Sequence, residues 1–149
     1  MIGPFFDTGV ALKLIVSEPR SGEVLSFVRK RKIPVPVSRL IELEMETALN
    51  AMAFRGHITA AQLAAAKTLL SELTKEGKFL PVRLSLDEIA TESLHLSPAI
   101  TLKTGCRTLD LMHLATARLL DCKEFVSSDL RQLKAAKVAG LKAINLSRL

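Results

Sequence analysis

The sequence predicts an α/β fold of three layers, with a short parallel sheet between helices. Three observations carry that prediction. Short β-branched or aromatic runs, Ile2–Phe6, Ile33–Val37, Glu124–Ser127 and Lys142–Leu146, are too brief to be helices. Longer stretches with helical apolar spacing separate them, the alternation expected of strand–helix–strand units. The chain has 149 residues, 48% hydrophobic and 24% charged, the size and balance of one domain with its own core. Residues 1–149 therefore read as a single domain, without internal repeat, low-complexity stretch or linker.

The elements follow in order. Ile2–Phe6 is a buried strand ending at Asp7, and Thr8–Val16 is a helix closed by Ser17-Glu18-Pro19, because proline disfavours helical geometry in the residue before it. Ser21–Arg31 is a second helix, ending in the basic cluster Arg29-Lys30-Arg31-Lys32, which suits the negative end of a helix dipole. Ile33–Val37 is a strand in which Pro34 and Pro36 demand an edge or irregular pairing. Ser38 caps a long helix to about Arg55, with Gly56 as its stop. Thr59 and Gln62 form a capping box before an Ala- and Leu-rich helix ending at Gly77. Phe79–Leu84 is a strand or extended connector. Ser85 and Glu88 form a second capping box before a helix to about Leu96, and Ser97–Gly105 is a loop. Thr108–Leu120 is a helix apolar on most sides, hence buried. Glu124–Ser127 is a strand, Leu130–Ala139 a helix stopped by Gly140, and Lys142–Leu146 the last strand.

Composition excludes several classes. No window of ~20 apolar residues is present to span a membrane, and no basic segment followed by an apolar one reads as a signal peptide. Two cysteines, Cys106 and Cys122, are too few for a disulfide framework, which points to a reducing cytoplasm. Lys plus Arg is 21 against 15 for Asp plus Glu, a net charge of +6. That balance suits a polyanionic partner such as nucleic acid, or serves solubility alone. With no Trp or Tyr and only six Phe, stacking on bases is not the main mode of any RNA binding.

Parallel α/β sheets bind ligands beyond the carboxyl ends of their strands. Four acids fall there. Asp7 and Asp129 follow strands directly, Asp110 lies in the first turn of a helix leading into a strand, and Glu44 lies in the second turn of another. Each has a structural explanation: Asp7 and Asp129 as helix N-caps, Asp110 as a favourable charge at a helix start. Glu44 is harder to explain so. Helical geometry sets it on the border of an apolar side made by Leu40, Ile41, Met45, Ala48, Leu49 and Met52, whereas Glu42 and Glu46 turn toward water. If the four acids converge, their repulsion calls for protonation or for cations. Carboxylate oxygens suit Mg²⁺ or Mn²⁺, and such ions can activate water and stabilise a leaving oxygen at a phosphodiester.

Four segments in this order resemble the PIN domain family, and most closely its VapC-type toxins. Phe5-Phe6-Asp7-Thr8 resembles the opening hydrophobic-Asp-Thr/Ser motif, and Glu44 to Ala48-Leu49 a Glu-x-x-x-Ala-Leu helix. Asp110 to His113-Leu114-Ala115 resembles Asp-x-x-His-Leu-Ala, and Phe125-Val126-Ser127-Ser128-Asp129 the closing strand-Thr/Ser-x-Asp motif. The resemblance implies a metal-dependent endoribonuclease with Asp7, Glu44, Asp110 and Asp129 as catalytic and metal-holding residues. It also implies a homodimer neutralised by a small antitoxin over the active-site groove. Gly9 departs from the pattern, which commonly has Ser or Asn there.

Thr8, Ser127 and His113 are candidates for support of the acids. Ser127 could orient a metal-bound water or only bond within its turn, and His113, one helical turn from Asp110, either packs in its helix or assists the acid. Arg29, Lys30, Arg31 and Lys32 either touch RNA phosphates or form a solvated helix end. Asp7-Thr8-Gly9 also spells an aspartic-protease triplet, but that chemistry needs two such motifs on β-rich lobes. The rival function is a non-catalytic PIN-like module binding RNA or protein, its acids serving only as caps.

Overall fold

The computed structural model describes residues 2–149. The strands are β1 (Phe5–Phe6), β2 (Val35–Val37), β3 (Phe79–Pro81), β4 (Glu124–Ser127) and β5 (Lys142–Asn145). The helices are α1 (Thr8–Leu12), α2 (Ser21–Arg31), α3 (Arg39–Phe54), α4 (Ala60–Lys75), α5 (Leu86–Thr104), α6 (Thr108–Leu119) and α7 (Leu130–Val138). A 3₁₀ turn, Leu146–Arg148, follows β5.

All strand pairings are parallel, as the alternation of elements predicts. They form a three-stranded ladder in the order β1-β4-β5 and a two-stranded ladder of β2 with β3. β1 lies against β2 without joining its ladder. Pro36 in the middle of β2 has no N–H, so this strand can be fully bonded on one side only. β2 is correspondingly paired to β3 alone.

The layers follow from alternation along β1. Phe5 faces α6, its ring 6.1 Å from that of His113, and Phe6 faces α2, its ring 6.1 Å from that of Phe27. Successive side chains of a strand point to opposite faces, so helices cover both sides of the sheet. Phe5 stacks on its register partner Phe125 at 5.8 Å. Phe5, Phe6, Ile41, Met45, Leu49, Leu114, Phe125 and Leu146 are fully buried and centre the core.

Caps appear where their residues predict. Ser38 accepts from the amide of Ile41, and both capping boxes, Thr59 with Gln62 and Ser85 with Glu88, are formed. The strands are shorter than expected, β1 beginning at Phe5, β2 at Val35 and β5 ending at Asn145, and two helix boundaries differ. α1 ends at Leu12, and the chain to Val16 continues as tight turns in which Lys13, Leu14 and Ile15 bond three residues back. The expected loop Ser97–Gly105 is instead the last part of α5, which runs through Pro98. Ile100 is buried against the core, and the hydroxyl of Thr104 donates to the carbonyl of Ile100. Burial of that turn outweighs the one backbone bond a proline removes. Gly105 ends the helix in the left-handed conformation, φ +68°, which only glycine adopts freely.

Candidate active site

Asp7 leaves the end of β1, whose ladder its own amide extends by donating to the carbonyl of Val126 at 3.2 Å. One carboxylate oxygen accepts from the amide of Val10 at 2.8 Å, capping α1. The other accepts from the hydroxyl of Ser127. Ser127 ends β4 and is fully buried. Its oxygen also accepts from the amide of Asp129 at 3.0 Å, so one buried hydroxyl couples the two strand ends. Asp129 caps α7, accepting from the amides of Arg131 at 2.8 Å and Gln132 at 3.3 Å.

Glu42 is exposed on α3 and Glu44 and Glu46 are both half-buried, but the Glu46 side chain keeps 47% of its exposure against 29% for Glu44. Oε1 of Glu44 accepts from Thr8 at 3.2 Å and meets Nε2 of His113 at 2.5 Å. His113 is buried, and its Nδ1 has no partner among the described residues. Nε2 is therefore the ring nitrogen that donates to Glu44. The structure thus makes His113 the partner of Glu44 rather than of its helix neighbour Asp110.

Asp110, half-buried on the first turn of α6, makes no hydrogen bond or ion pair among the described residues. Burial holds its carboxyl above the ordinary aspartate range, and the charges of Asp129 and Glu44 raise it further, against His113 and Arg107. Burial likewise raises Asp7, with Asp110 adding to the rise, while the bonds from Ser127 and Val10 oppose it. For Glu44 burial acts upward too, but the bonds from His113 and Thr8 outweigh it and the carboxyl is lowered. Burial first, then the charges of Asp110 and Asp129, push the neighbouring Cys106 thiol up to about 11. Asp110 is therefore the hub of the four acids, coupled to each of the other three.

Among the described residues no lysine or arginine pairs with Asp7, Glu44, Asp110 or Asp129, although Glu42 and Glu46 on the same helix as Glu44 are paired with Arg39 and Lys67. The chain carries 21 lysines and arginines and leaves these four acids without one. Hard oxygen donors with uncompensated charge fit a divalent cation in kind. They do not form a closed cage: among the described residues no three His, Cys, Asp or Glu side chains are grouped to hold a metal ion. The convergence predicted from sequence is electrostatic coupling at one edge, looser than a preformed ligand cluster. Gly9 leaves room beside it, since a Cβ there would meet only Oδ1 of Asp7, at 3.6 Å.

The basic cluster lies elsewhere. Arg31 is bonded to Glu124 at 2.7 Å and sits 4.7 Å from the ring of Phe27. Glu124 begins β4 and Ser127 ends it, about 10 Å away at strand rise. Arg29 and Lys32 line a groove with Pro34 and Lys78, which precede β2 and β3. The end of α2 therefore faces the amino ends of the strands, across the sheet from the acids. Arg29, Lys30, Arg31 and Lys32, which the sequence offers either as contacts to RNA phosphates or as a solvated helix end, thus stand away from the four acids. The cations whose charge acts at that edge are Arg107, which opposes the rise at Asp110, and Arg131, which opposes the rise at Cys106. Sequence reasoning passed over both. Their signal was adjacency, Arg107 just before α6 and Arg131 just after Asp129.

A parallel α/β sheet with unpaired acids beyond its strand ends defines the class. The PIN domain model matches residues 5–138, and the chain belongs to the PIN domain family. Members of that family are generally metal-dependent nucleases. No curated protein sequence matches the chain. Among solved structures the fold is similar to the crystal structure of FitAcB from Neisseria gonorrhoeae, at a TM-score of 0.62 and 15% identity over the whole of both chains. No helix among the described residues is long and apolar enough to cross a membrane.

Proposed function

We propose that this chain is a metal-dependent endoribonuclease, the VapC-type toxin of a toxin–antitoxin pair, with residues 1–149 as its single domain. The observation that carries the reading is the set of four acids at one sheet edge, Asp7, Glu44 and Asp129 each coupled to Asp110 and none paired with a lysine or arginine among the described residues, in a chain of net charge +6. Asp7, Glu44, Asp110 and Asp129 would hold Mg²⁺ or Mn²⁺. When bound, such an ion supplies an activated water and stabilises the oxygen that leaves the phosphodiester. The chain's own groups prepare that edge. Ser127 orients Asp7, His113 and Thr8 orient Glu44, and the amides at the start of α7 hold Asp129. The family motifs further support a homodimer, a small antitoxin covering the edge, and residence in the cytoplasm.

Purified protein should cut single-stranded RNA with Mg²⁺ or Mn²⁺ and not in EDTA. Asp7→Asn and Asp110→Asn should abolish cutting and keep the fold by circular dichroism. Cutting that survives both changes refutes the assigned residues. A second reading, a non-catalytic module binding RNA or protein, is favoured by the open arrangement of the acids. Calorimetric titration with Mn²⁺ separates the two: heat of binding that Asp7→Asn removes supports the nuclease, and no heat supports the module.

A further inference from the structure

A groove of about 570 Å³ runs along β5 between α2 and α7. Its cations are Arg31, Lys134, Lys137, Lys142 and Arg148, and no acidic residue lines it. Arg31 and Lys142 share Glu124, at 2.7 and 3.5 Å. Lys134, Lys137 and Arg148 are exposed and have no acidic partner among the described residues. Three free cations along one groove are an electrostatic track for a polyanion.

The upper end of the groove lies next to the acidic edge, although none of the four acids lines it. Asn145, which lines it, pairs in register with Ser127, and Leu130, which also lines it, directly follows Asp129. From there the groove descends β5 to Lys142 and Arg31, at the opposite sheet edge. We propose that this groove carries the sugar–phosphate backbone of an RNA strand flanking the phosphate held at the acidic edge, with Lys134, Lys137 and Arg148 as its phosphate contacts. The proposal rests on the nuclease reading for its direction. An acidic peptide would meet the same charges, but a continuous polyanion also reaches the phosphate position at the acidic edge beside the groove's upper end. The one aromatic ring lining the groove, Phe27, is half-buried and lies under the guanidinium of Arg31 at 4.7 Å, so the contact is with the backbone and independent of sequence.

The test compares two triple variants of the full chain that remove equal charge. Lys134→Gln/Lys137→Gln/Arg148→Gln empties the groove, and Arg29→Gln/Lys32→Gln/Lys78→Gln neutralises the other groove, at the amino ends of β2 and β3. Affinity for a fluorescent single-stranded RNA of about a dozen nucleotides is read by anisotropy in EDTA across a salt series. Three lost phosphate contacts should flatten the slope of log K against log salt by about 2 and weaken binding about a hundredfold at 0.1 M salt. The second triple should change neither quantity appreciably. Equal losses in both would assign the effect to net charge, and undiminished affinity in the first would place the RNA elsewhere. Either result overturns the proposal, as does a groove triple that keeps RNA but loses oligoglutamate. Asp110→Asn judges the nuclease reading separately. If the wild type binds RNA through the groove but cuts none with Mn²⁺, the groove stands and the nuclease falls.

Discussion

Ser127→Ala reads out the coupling between the ends of β1 and β4. The hydroxyl is fully buried, donates to Asp7 and accepts from the amide of Asp129. A hydrogen bond to a charged group contributes about 1.5–3 kcal/mol, and one between neutral groups about 1 kcal/mol. The native carboxyl of Asp7 is already raised by burial, and Ser127 restrains that rise, so the variant raises it further. A carboxyl with a raised native pKa makes the folded state bind more protons than the unfolded chain. Stability then falls as pH climbs through the window between the two pKa values, and the penalty is complete above the native one. The deficit of Ser127→Ala is therefore small in acid, grows with pH and levels off once Asp7 is ionised in both proteins. For 149 residues an unfolding entropy of about 2.1 cal/mol/K per residue converts a loss of ~2 kcal/mol into a Tm lower by about 6 °C, shrinking to about 3 °C in acid. Calorimetry of both proteins across that pH range measures it. A deficit that is constant with pH, or largest in acid, refutes the coupling.

Other changes have defined signs. Asp110→Asn should be at least as stable as the wild type at neutral pH, because burial and the neighbouring acids raise this carboxyl, and thermal melts should show the advantage vanishing below about pH 3, where the carboxyl is protonated in both folded and unfolded chains. Gly9→Ala should raise Tm by about 2–3 °C, since glycine inside a helix costs about 0.5–1 kcal/mol relative to alanine and the added Cβ has only the carboxylate of Asp7 near it, at 3.6 Å. Arg31→Ala removes a bond to Glu124 and a contact with the Phe27 ring and should lower Tm by about 3 °C, the effect of ~1 kcal/mol. Both cysteines are buried with thiols pushed up to about 11, by burial first. They should resist a disulfide-exchange reagent at neutral pH and react on addition of denaturant, as an absorbance trace would show.

Local signals in the chain were enough for much of the architecture. Ser38, Thr59 with Gln62, and Ser85 with Glu88 each announce a helix because a cap is satisfied within three residues, without help from distant groups. Pro36 within β2, with Pro34 just before it, likewise foretold a strand bonded on one side. Glu44 was separable from Glu42 and Glu46 because helical geometry alone turns one toward the apolar side. Where the outcome depended on packing, local reading failed. Pro98 looks like a break, and only the burial of Ile100 carries α5 through it.

The candidate site shows the same division. Which acids stand beyond strand ends follows from the order of elements, since parallel strands share one carboxyl edge. Which partner each acid takes does not. His113 lies beside Asp110 on its helix but bonds Glu44, 69 positions away, and Ser127 joins Asp7 across 120 positions. Arg29–Lys32 have the composition of a phosphate contact, yet the direction of α2 carries them to the far sheet edge. Charge type and capping are written residue by residue, because they act over one helical turn. Proximity between remote side chains, and the hydration each one loses, arise only when the strands pair and the helices close over them.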